Sequence, residues 1–223
     1  MQPDFLTFQQ FDDAVLAEDL TDLLTANNIP YEVEEAPITV NPLTAINTEV
    51  KTSYSIKISP DDFNRVSQLL KERESQFVDE VDKDYYLFTF TDDELMEILE
   101  KPDEWSSFDY VLAKKILEER GITVDQQKLT KLKNERIEEL SIPEKSQSSW
   151  IIIGYICAFL GGVLGIFIGW HLSSAKKTLP DGEQIYSYTS GDRKHGRIIF
   201  YLSLVGTAVS VFLRFQREFS LIN

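Results

Sequence analysis

Residues 150–172 read WIIIGYICAFLGGVLGIFIGWHL, and none of the twenty-one residues from Trp150 to Trp170 is charged. At a helical rise of about 1.5 Å per residue they would cover roughly 31 Å, close to the hydrocarbon thickness of a bilayer, about 30 Å. Trp150, Tyr155 and Trp170 lie at or near the ends of the stretch, where amphipathic rings favour the membrane interface. The stretch predicts transmembrane helix 1. The alternative is a buried helix in a soluble core.

A second uncharged stretch follows at residues 198–213, between Arg197 and Arg214. Its sixteen residues would span about 24 Å, and snorkelling arginines with local thinning of the bilayer can close the difference. We predict transmembrane helix 2 here, and an interfacial helix is the alternative. Residues 173–197 would then form an extracytoplasmic loop, and residues 214–223 a cytoplasmic tail.

Small residues recur along both predicted membrane helices, in helix 1 at four-residue spacing. Small residues let two helices approach closely. We therefore predict helix packing through this face, either inside a two-helix hairpin or against a second copy of the chain or another membrane protein. The predicted packing residues are Gly154, Ala158, Gly161, Gly162, Gly165, Gly169, Ser203, Gly206 and Ser210.

Charge is distributed unevenly along the chain. Residues 1–149 contain 33 Asp and Glu against 15 Lys and Arg, whereas the remainder contains 4 acids and 7 bases. An acidic soluble portion argues against nucleic acid as a partner, because a phosphate backbone attracts basic surfaces. The expected partners are the membrane and other proteins.

Membrane orientation does not follow from charge, because the Lys and Arg residues flanking the predicted helices are nearly equal in number on the two sides. The N-terminal residues, MQPDFLTFQQFDD, show no signal peptide. Export of a large acidic domain without one is unfavourable. We therefore expect a multi-pass protein of the bacterial inner membrane with both termini cytoplasmic.

The first part of the chain alternates strand and helix patterns. Strands are predicted at residues 5–9, 31–35 and 53–59, with an amphipathic helix after the first and another after the third. Residues 36–52 are predicted to be a long loop. The order βαββα predicts a ferredoxin-like domain over residues 1–78.

The segments FLTFQQFDDAVLAEDLTDLLTANNIPYEVEE and YSIKISPDDFNRVSQLL resemble the prokaryotic signal-transducing protein domain, a PII-like domain of unknown function. The resemblance covers residues 4–75. It implies a ferredoxin-like fold and a regulatory role, and it supplies no ligand-binding residues. The chain departs from the family pattern in the long, glycine-free loop at residues 36–52.

An acidic linker at residues 79–85 leads into a predicted helical module at residues 86–145. Thr91 and Glu94 form a capping-box pattern, and Gly121 is placed to end a helix. The predicted class is α+β, with a ferredoxin-like domain, a small helical module and a C-terminal two-helix transmembrane hairpin over residues 150–172 and 198–213.

Residues that usually carry chemistry are scarce. Residues 1–149 contain no His, no Cys and a single Gly, and the one cysteine of the chain is Cys157. These counts exclude a P-loop, a dinucleotide fingerprint and a cysteine zinc site from that portion. His171 and His195 could share a site at one interface, but anchoring at the interface is the simpler interpretation. We predict no catalytic residues, no cofactor and no metal.

Three functions are compatible with these patterns. The first is a non-enzymatic, membrane-anchored regulatory or interaction protein whose cytoplasmic domain binds a partner or ligand. The second is an accessory subunit of a membrane protein complex that docks through the glycine face of transmembrane helix 1. The third is an enzyme that uses carboxylates or Ser and Tyr hydroxyls alone.

Overall fold

A computed structural model describes residues 4–37, 52–160 and 162–222, with side chains as far as Arg217. The chain divides into two units: unit 1 is Met1–Leu140 with Thr178–Glu183, and unit 2 is Ser141–Lys177 with Gln184–Asn223. Most of the predicted loop at residues 36–52 and the predicted packing residue Gly161 lie outside the described residues. The fold is mixed α+β, as predicted.

Unit 1 begins with a three-stranded sheet and two helices. These are β1 (Leu6–Phe11), α1 (Ala14–Ala26), β2 (Tyr31–Pro37), β3 (Thr52–Ile58) and α2 (Phe63–Glu74). The strand order is β1-β3-β2, and β3 is antiparallel to both neighbours. The β1-α1-β2 connection therefore joins two strands that point the same way with β3 between them. All three predicted strands are confirmed.

Local sequence signals set the ends of α1, and apolar periodicity sets its packing. The Asp13 carboxylate accepts a hydrogen bond from the Val15 backbone N–H at 2.8 Å, which satisfies one of the free donors at a helix N-terminus. Asn28, with φ of 55°, adopts the left-handed conformation that ends the helix. The first core of unit 1 consists of Ala17, Leu20, Leu24, Ile29, Ile56, Ile58, Phe63, Val66 and Leu70.

A helical part follows these elements along the chain. Its elements are a 3₁₀ turn at Tyr86–Thr89 and the helices α3 (Asp92–Glu100), α4 (Ser107–Glu119) and α5 (Gln126–Ser141). The capping box of Thr91 and Glu94 is present, Ser106 caps α4, and Gly121 has φ of 83°. The second core consists of Val78, Leu87, Leu95, Ile98, Leu99, Leu112, Ala113, Ile116, Leu117 and Val124.

Arg136 of α5 makes four hydrogen bonds to acidic side chains. Its side chain is 9% exposed and donates two hydrogen bonds to Asp103, at 2.9 and 2.7 Å. It also pairs with Glu104 at 2.6 Å and with Glu139 at 2.9 Å. Burial alone would raise the pKa of Asp103, but the hydrogen bonds and charge of Arg136 lower it. Arg136 is the one buried residue of α5, and its pairs with Asp103 and Glu104 join α5 to the segment between α3 and α4.

We expect Arg136→Ala to lower the free energy of unfolding of unit 1 by about 2–3 kcal/mol, because Asp103 would lose its buried partner. The matched control is Lys131→Ala, whose exposed pair with Glu135 contributes about 0.5 kcal/mol or less. Urea unfolding of the full chain in detergent, followed by Trp105 fluorescence with the other tryptophans changed to Phe, measures both. Equal effects of the two variants would contradict this role for Arg136.

Lys71 of α2 lies over the ring of Tyr110 of α4, with Nζ 3.7 Å from the ring centroid. Burial, together with the positive charge of Lys133, lowers the pKa of Lys71 from 10.5 to about 8. The folded state therefore disfavours the protonated amine relative to the unfolded chain. Between pH 8 and 10.5 the unfolded chain binds more protons, so stability rises with pH across that window.

We expect the free energy of unfolding to rise by about 1–2 kcal/mol from pH 8 to pH 9.5 through this one group. Replacing Lys71 with Met, which keeps the length of the stem and removes the charge, should abolish that part of the rise. The same Trp105 measurement at the two pH values tests it. A Lys71→Met variant with the slope of the parent protein would show that Lys71 titrates alike in the folded and unfolded states.

Unit 2 contains three helices and corrects the prediction for residues 150–172. These residues do not form one transmembrane helix, because α6 (Ser148–Phe159) and α7 (Val163–Ser174) are separate helices of 12 residues each. Each is about 18 Å long, too short to span a bilayer. The predicted two-helix transmembrane hairpin is therefore wrong in its first arm.

The helix break falls where the sequence has two consecutive glycines. Leu160 is the C-cap of α6, and the Gly162 N–H donates to the Cys157 carbonyl at 3.0 Å, the long-range bond of a Schellman stop. Gly162 is then the N-cap of α7. Glycine is a poor helix former and favours helix ends, which explains why the apolar run is interrupted at Gly162 although it contains no charge.

The second predicted membrane helix, residues 198–213, is part of a longer helix. Helix α8 (Ser190–Ile222) begins eight residues earlier, inside the predicted extracytoplasmic loop. Before it, β4 (Lys176–Thr178) and β5 (Gln184–Tyr186) form a two-stranded sheet. Gly182, with φ of 91°, adopts the left-handed conformation that the turn between the two strands requires.

Candidate membrane-anchoring site

Helices α6 and α7 fold back on each other as a hairpin, called here the short hairpin. A Cβ atom placed on Gly154 would lie 3.1 Å from Cγ2 of Ile168, and one placed on Gly165 would lie 3.1 Å from the backbone N of Ala158. The pairing runs antiparallel, since a position further along α6 meets one further back along α7. The two glycines allow the backbones to approach this closely.

Helix α8 packs along α7 through backbone-to-backbone contacts. A Cβ on Gly169 would meet the backbone N of Phe200 and, at 2.7 Å, the carbonyl O of Gly196. One on Gly165 would meet the Oγ of Ser203, and one on Gly196 would lie 2.8 Å from the Leu172 Cβ. The two helices are antiparallel, and no side chain larger than hydrogen fits at Gly169 without moving a backbone.

Side-chain burial in unit 2 reverses the pattern of a soluble bundle. The buried positions of the three helices are mostly small, and the large apolar side chains face outward. Phe159 is 92% exposed and Leu160 is 75% exposed. Such a surface is typical of contact with lipid, where small residues mediate helix packing and apolar residues need no burial in protein. Other outward apolar side chains are Ile152, Ile156, Leu164, Phe167, Leu204, Val205, Val209, Val211, Phe212 and Leu213.

Helix α8 alone is long and apolar enough to cross a membrane within the described residues. Its candidate span, Ser190–Arg217, has 28 residues. The most apolar 18-residue segment of the span has a mean hydropathy of 1.9, and 11% of that segment is buried. Helices Ser148–Phe159 and Val163–Ser174 are apolar but short. Helices α6 and α7 also carry outward apolar side chains.

Polar contacts join the entrance of α6 to the connection between α7 and α8. The Glu144 N–H donates to the Ser187 carbonyl at 2.9 Å, and Lys177 Nζ donates to the Ile142 carbonyl at 2.8 Å. The Ser146 hydroxyl donates to Asp192 at 3.1 Å. These contacts place the start of α6, the end of α7 and the start of α8 at one end of unit 2, called here the base end.

The two histidines do not share a site. His171 Nε2 lies 3.0 Å from the Tyr188 hydroxyl, and His195 Nδ1 lies 3.0 Å from the Tyr155 hydroxyl. Each histidine therefore has its own tyrosine partner at the base end. No group of three or more His, Cys, Asp or Glu side chains within the described ranges could hold a metal ion.

Most of the predicted packing residues come together in unit 2. Gly154, Ala158, Gly165, Gly169 and Ser203 are buried, Gly162 caps α7, and Gly206 and Ser210 are half-buried. The Ser203 hydroxyl is buried and without a hydrogen-bond partner.

The prediction missed the packing residues at the N-terminal end of α8. Asp192, Gly196 and Ile199 are buried and continue the face of Ser203 backward at intervals of three or four. This helical spacing is visible in the sequence. It could have shown that the helix begins before residue 198, where the uncharged stretch starts.

Asp109 is the one buried acid among the described residues of unit 1, and it accepts hydrogen bonds from Tyr85 at 2.8 Å and from Ser106 at 2.7 Å. Burial, reinforced by the Asp109 contact, raises the pKa of the Tyr85 hydroxyl. Tyr85 therefore stays protonated and donates to Asp109. The pair joins α4 to the residue that precedes the 3₁₀ turn.

Comparison with protein-family models, with curated proteins and with solved structures finds no match for this chain. The resemblance of residues 4–75 to the prokaryotic signal-transducing protein domain therefore stays a prediction. Function has to be inferred from the site itself.

We expect Gly169→Ala to destabilise unit 2 by about 1–3 kcal/mol, because its methyl group would push α7 away from the α8 backbone. Gly191→Ala is the matched control, since a Cβ there has no atom closer than 3.7 Å and alanine favours helix. Thermal unfolding of the full chain in detergent, read from Trp150 and Trp170 with Trp105 changed to Phe, compares them. Equal stability of both variants would contradict the close packing.

Proposed function

We propose that the protein is a non-enzymatic, membrane-anchored regulatory or interaction protein of the bacterial cytoplasmic membrane, in which unit 1 binds a partner or ligand in the cytoplasm. The proposal of a membrane anchor rests on side-chain burial in unit 2, which is the reverse of that in a soluble bundle. Small residues pack its helices together, while large apolar side chains face outward along α6, α7 and α8. Lipid is the environment in which such a surface is stable.

The regulatory role rests on unit 1. Its βαββα element order and its β1-β3-β2 sheet support a ferredoxin-like domain of the signal-transducing type. The absence of His and Cys from residues 1–149 removes the common bases, nucleophiles and metal ligands, which favours binding over catalysis. Exposed apolar side chains on α1 and β2, namely Val15, Leu16 and Val33, offer a contact surface for a partner.

The alternative role is an accessory subunit of a membrane complex. It needs a docking surface other than the glycine face of the predicted transmembrane helix 1. Gly154, Gly165 and Gly169 contact Ile199, Ser203 and Phe200 within the same chain. The distal part of α8 is available instead, where Val209, Val211, Phe212 and Leu213 are exposed. A second copy of the chain could use the same surface.

Arginine substitutions on the outward face of α8 test whether this helix lies in the membrane. Val205 and Val209 are 62% and 51% exposed, so Arg at both positions would be harmless in water. In a bilayer each Arg near the centre of a span costs about 2.5–3.5 kcal/mol. We expect the Val205→Arg/Val209→Arg chain to leave the membrane fraction and the Val205→Leu/Val209→Leu control to stay. An Arg chain that remains in carbonate-washed membranes would contradict lipid contact.

Photocrosslinking tests the interaction role. A photoreactive phenylalanine analogue in place of Leu16 should give a discrete adduct in intact membranes. The same analogue in place of Glu72, on the exposed side of α2, is the control. If neither position gives an adduct and no metabolite co-purifies with the chain, the regulatory proposal fails while the anchor proposal stands.

A further inference from the structure

We propose that the short hairpin enters the bilayer and returns on the same side, so that α8 is the single crossing and the two ends of the chain lie on opposite sides of the membrane. This topology rests on the proposed membrane anchor. It replaces the expectation of two crossings with both termini in the cytoplasm.

The base-end hydrogen bonds carry the first step. Glu144 precedes α6 and Ser187 follows α7, yet their backbones bond at 2.9 Å. Lys177 reaches the Ile142 carbonyl at 2.8 Å in the same way. If residues 150–172 crossed the bilayer once, these partners would be separated by the hydrocarbon layer of about 30 Å. Both ends of the short hairpin therefore face one side.

The aromatic residues agree with this arrangement. Trp150 lies in the first turn of α6, and Trp170 lies near the end of α7. The antiparallel pairing of Gly154 with Ile168 brings the two rings to the same level along the hairpin. Both rings are exposed, at 54% and 60%. Tryptophan favours the membrane interface, so the pair marks one interface rather than two.

The depth of the hairpin follows from its length. Twelve residues in each arm reach about 18 Å, slightly past the middle of a hydrocarbon layer of about 30 Å. The pairing of Gly165 with Ser203 and of Gly169 with Phe200 places the hairpin tip beside the middle of the apolar part of α8. Beyond that level α8 continues with exposed apolar residues, and Arg214 follows at the far interface.

The backbone at the tip is compatible with this depth. Polar backbone groups are unfavourable in hydrocarbon unless they are bonded. The Gly162 N–H donates to the Cys157 carbonyl at 3.0 Å, and the Gly165 N–H donates to the Gly162 carbonyl at 3.2 Å. The negative end of the α6 dipole also adjoins the positive end of the α7 dipole, which offsets both.

Charge complementarity with anionic lipid headgroups sets the orientation. The base end carries six basic side chains, whereas Arg214 and Arg217 are the two at the other end of α8 in the described side chains. The positive-inside rule then places the base end in the cytoplasm and the C-terminal end outside. The six are Lys145, Lys176, Lys177, Arg193, Lys194 and Arg197.

Three exposed glutamines provide a matched labelling experiment. Cys157→Ser removes the native thiol, and Gln76→Cys, Gln184→Cys or Gln216→Cys then adds one thiol in unit 1, in β5 or in the distal part of α8. A membrane-impermeant maleimide is applied to intact cells and to permeabilised cells. We expect the Gln216→Cys chain to be labelled in intact cells, and the other two only after permeabilisation.

The outcomes separate the two proposals. A membrane-bound chain in which the Gln184→Cys thiol is labelled from the opposite side to the Gln76→Cys thiol would overturn the hairpin topology and leave the anchor intact. A chain that remains soluble would overturn both. Labelling of all three positions from the same side would leave α8 without a crossing and would also overturn the topology.

Tryptophan quenching gives a second measurement that needs no added thiol. Single-tryptophan chains are made with Phe at the other two tryptophan positions, leaving either Trp150 or Trp170. In sealed, uniformly oriented vesicles, iodide added outside should quench both chains or neither. Quenching of one chain and protection of the other would place the two rings at opposite interfaces and refute the hairpin.

Discussion

The contact between the α7 and α8 backbones is the constraint on which unit 2 depends. At Gly169 the space for a Cβ atom is already occupied by the Phe200 nitrogen and the Gly196 carbonyl. A contact of this kind buries almost no side-chain area, so in water it would contribute little hydrophobic stabilisation. In lipid, where the hydrophobic effect does not drive helices together, close backbone packing is the larger contribution. The position of the short hairpin along α8 follows from these few glycines.

The two units are stabilised by opposite packing rules. Unit 1 is organised around large aliphatic side chains such as Leu24, Ile56 and Leu95, which are fully buried, and around hydrogen-bonded charges such as Arg136. Unit 2 buries Gly165 and Ser203 and exposes Phe159. A single solvent cannot favour both arrangements. Under the proposed membrane anchor, the change in packing rule near Ser141 marks where the chain passes from water to lipid.

Local signals made most of unit 1 predictable, while unit 2 depended on a contact that composition does not reveal. The strands, the Asp13 cap, the Thr91 capping box and the Gly121 stop each follow from neighbouring residues. The break after Leu160 was missed because counting uncharged residues measures only length. The consecutive glycines were visible in the sequence, but a count of uncharged residues takes no account of them.

The short hairpin also explains why the Lys and Arg residues counted on the two sides of the membrane are nearly equal in number. The tie arises only when residues 173–197 are counted on the side opposite to Lys145. The bond between Glu144 and Ser187 moves that segment to the base end, and the bias becomes six against two. Residues 1–149 are strongly acidic and are repelled by anionic headgroups, whereas the base end is attracted to them. In the proposed topology, the outward apolar side chains of the three helices supply the apolar part of membrane binding, and the base end supplies the electrostatic part.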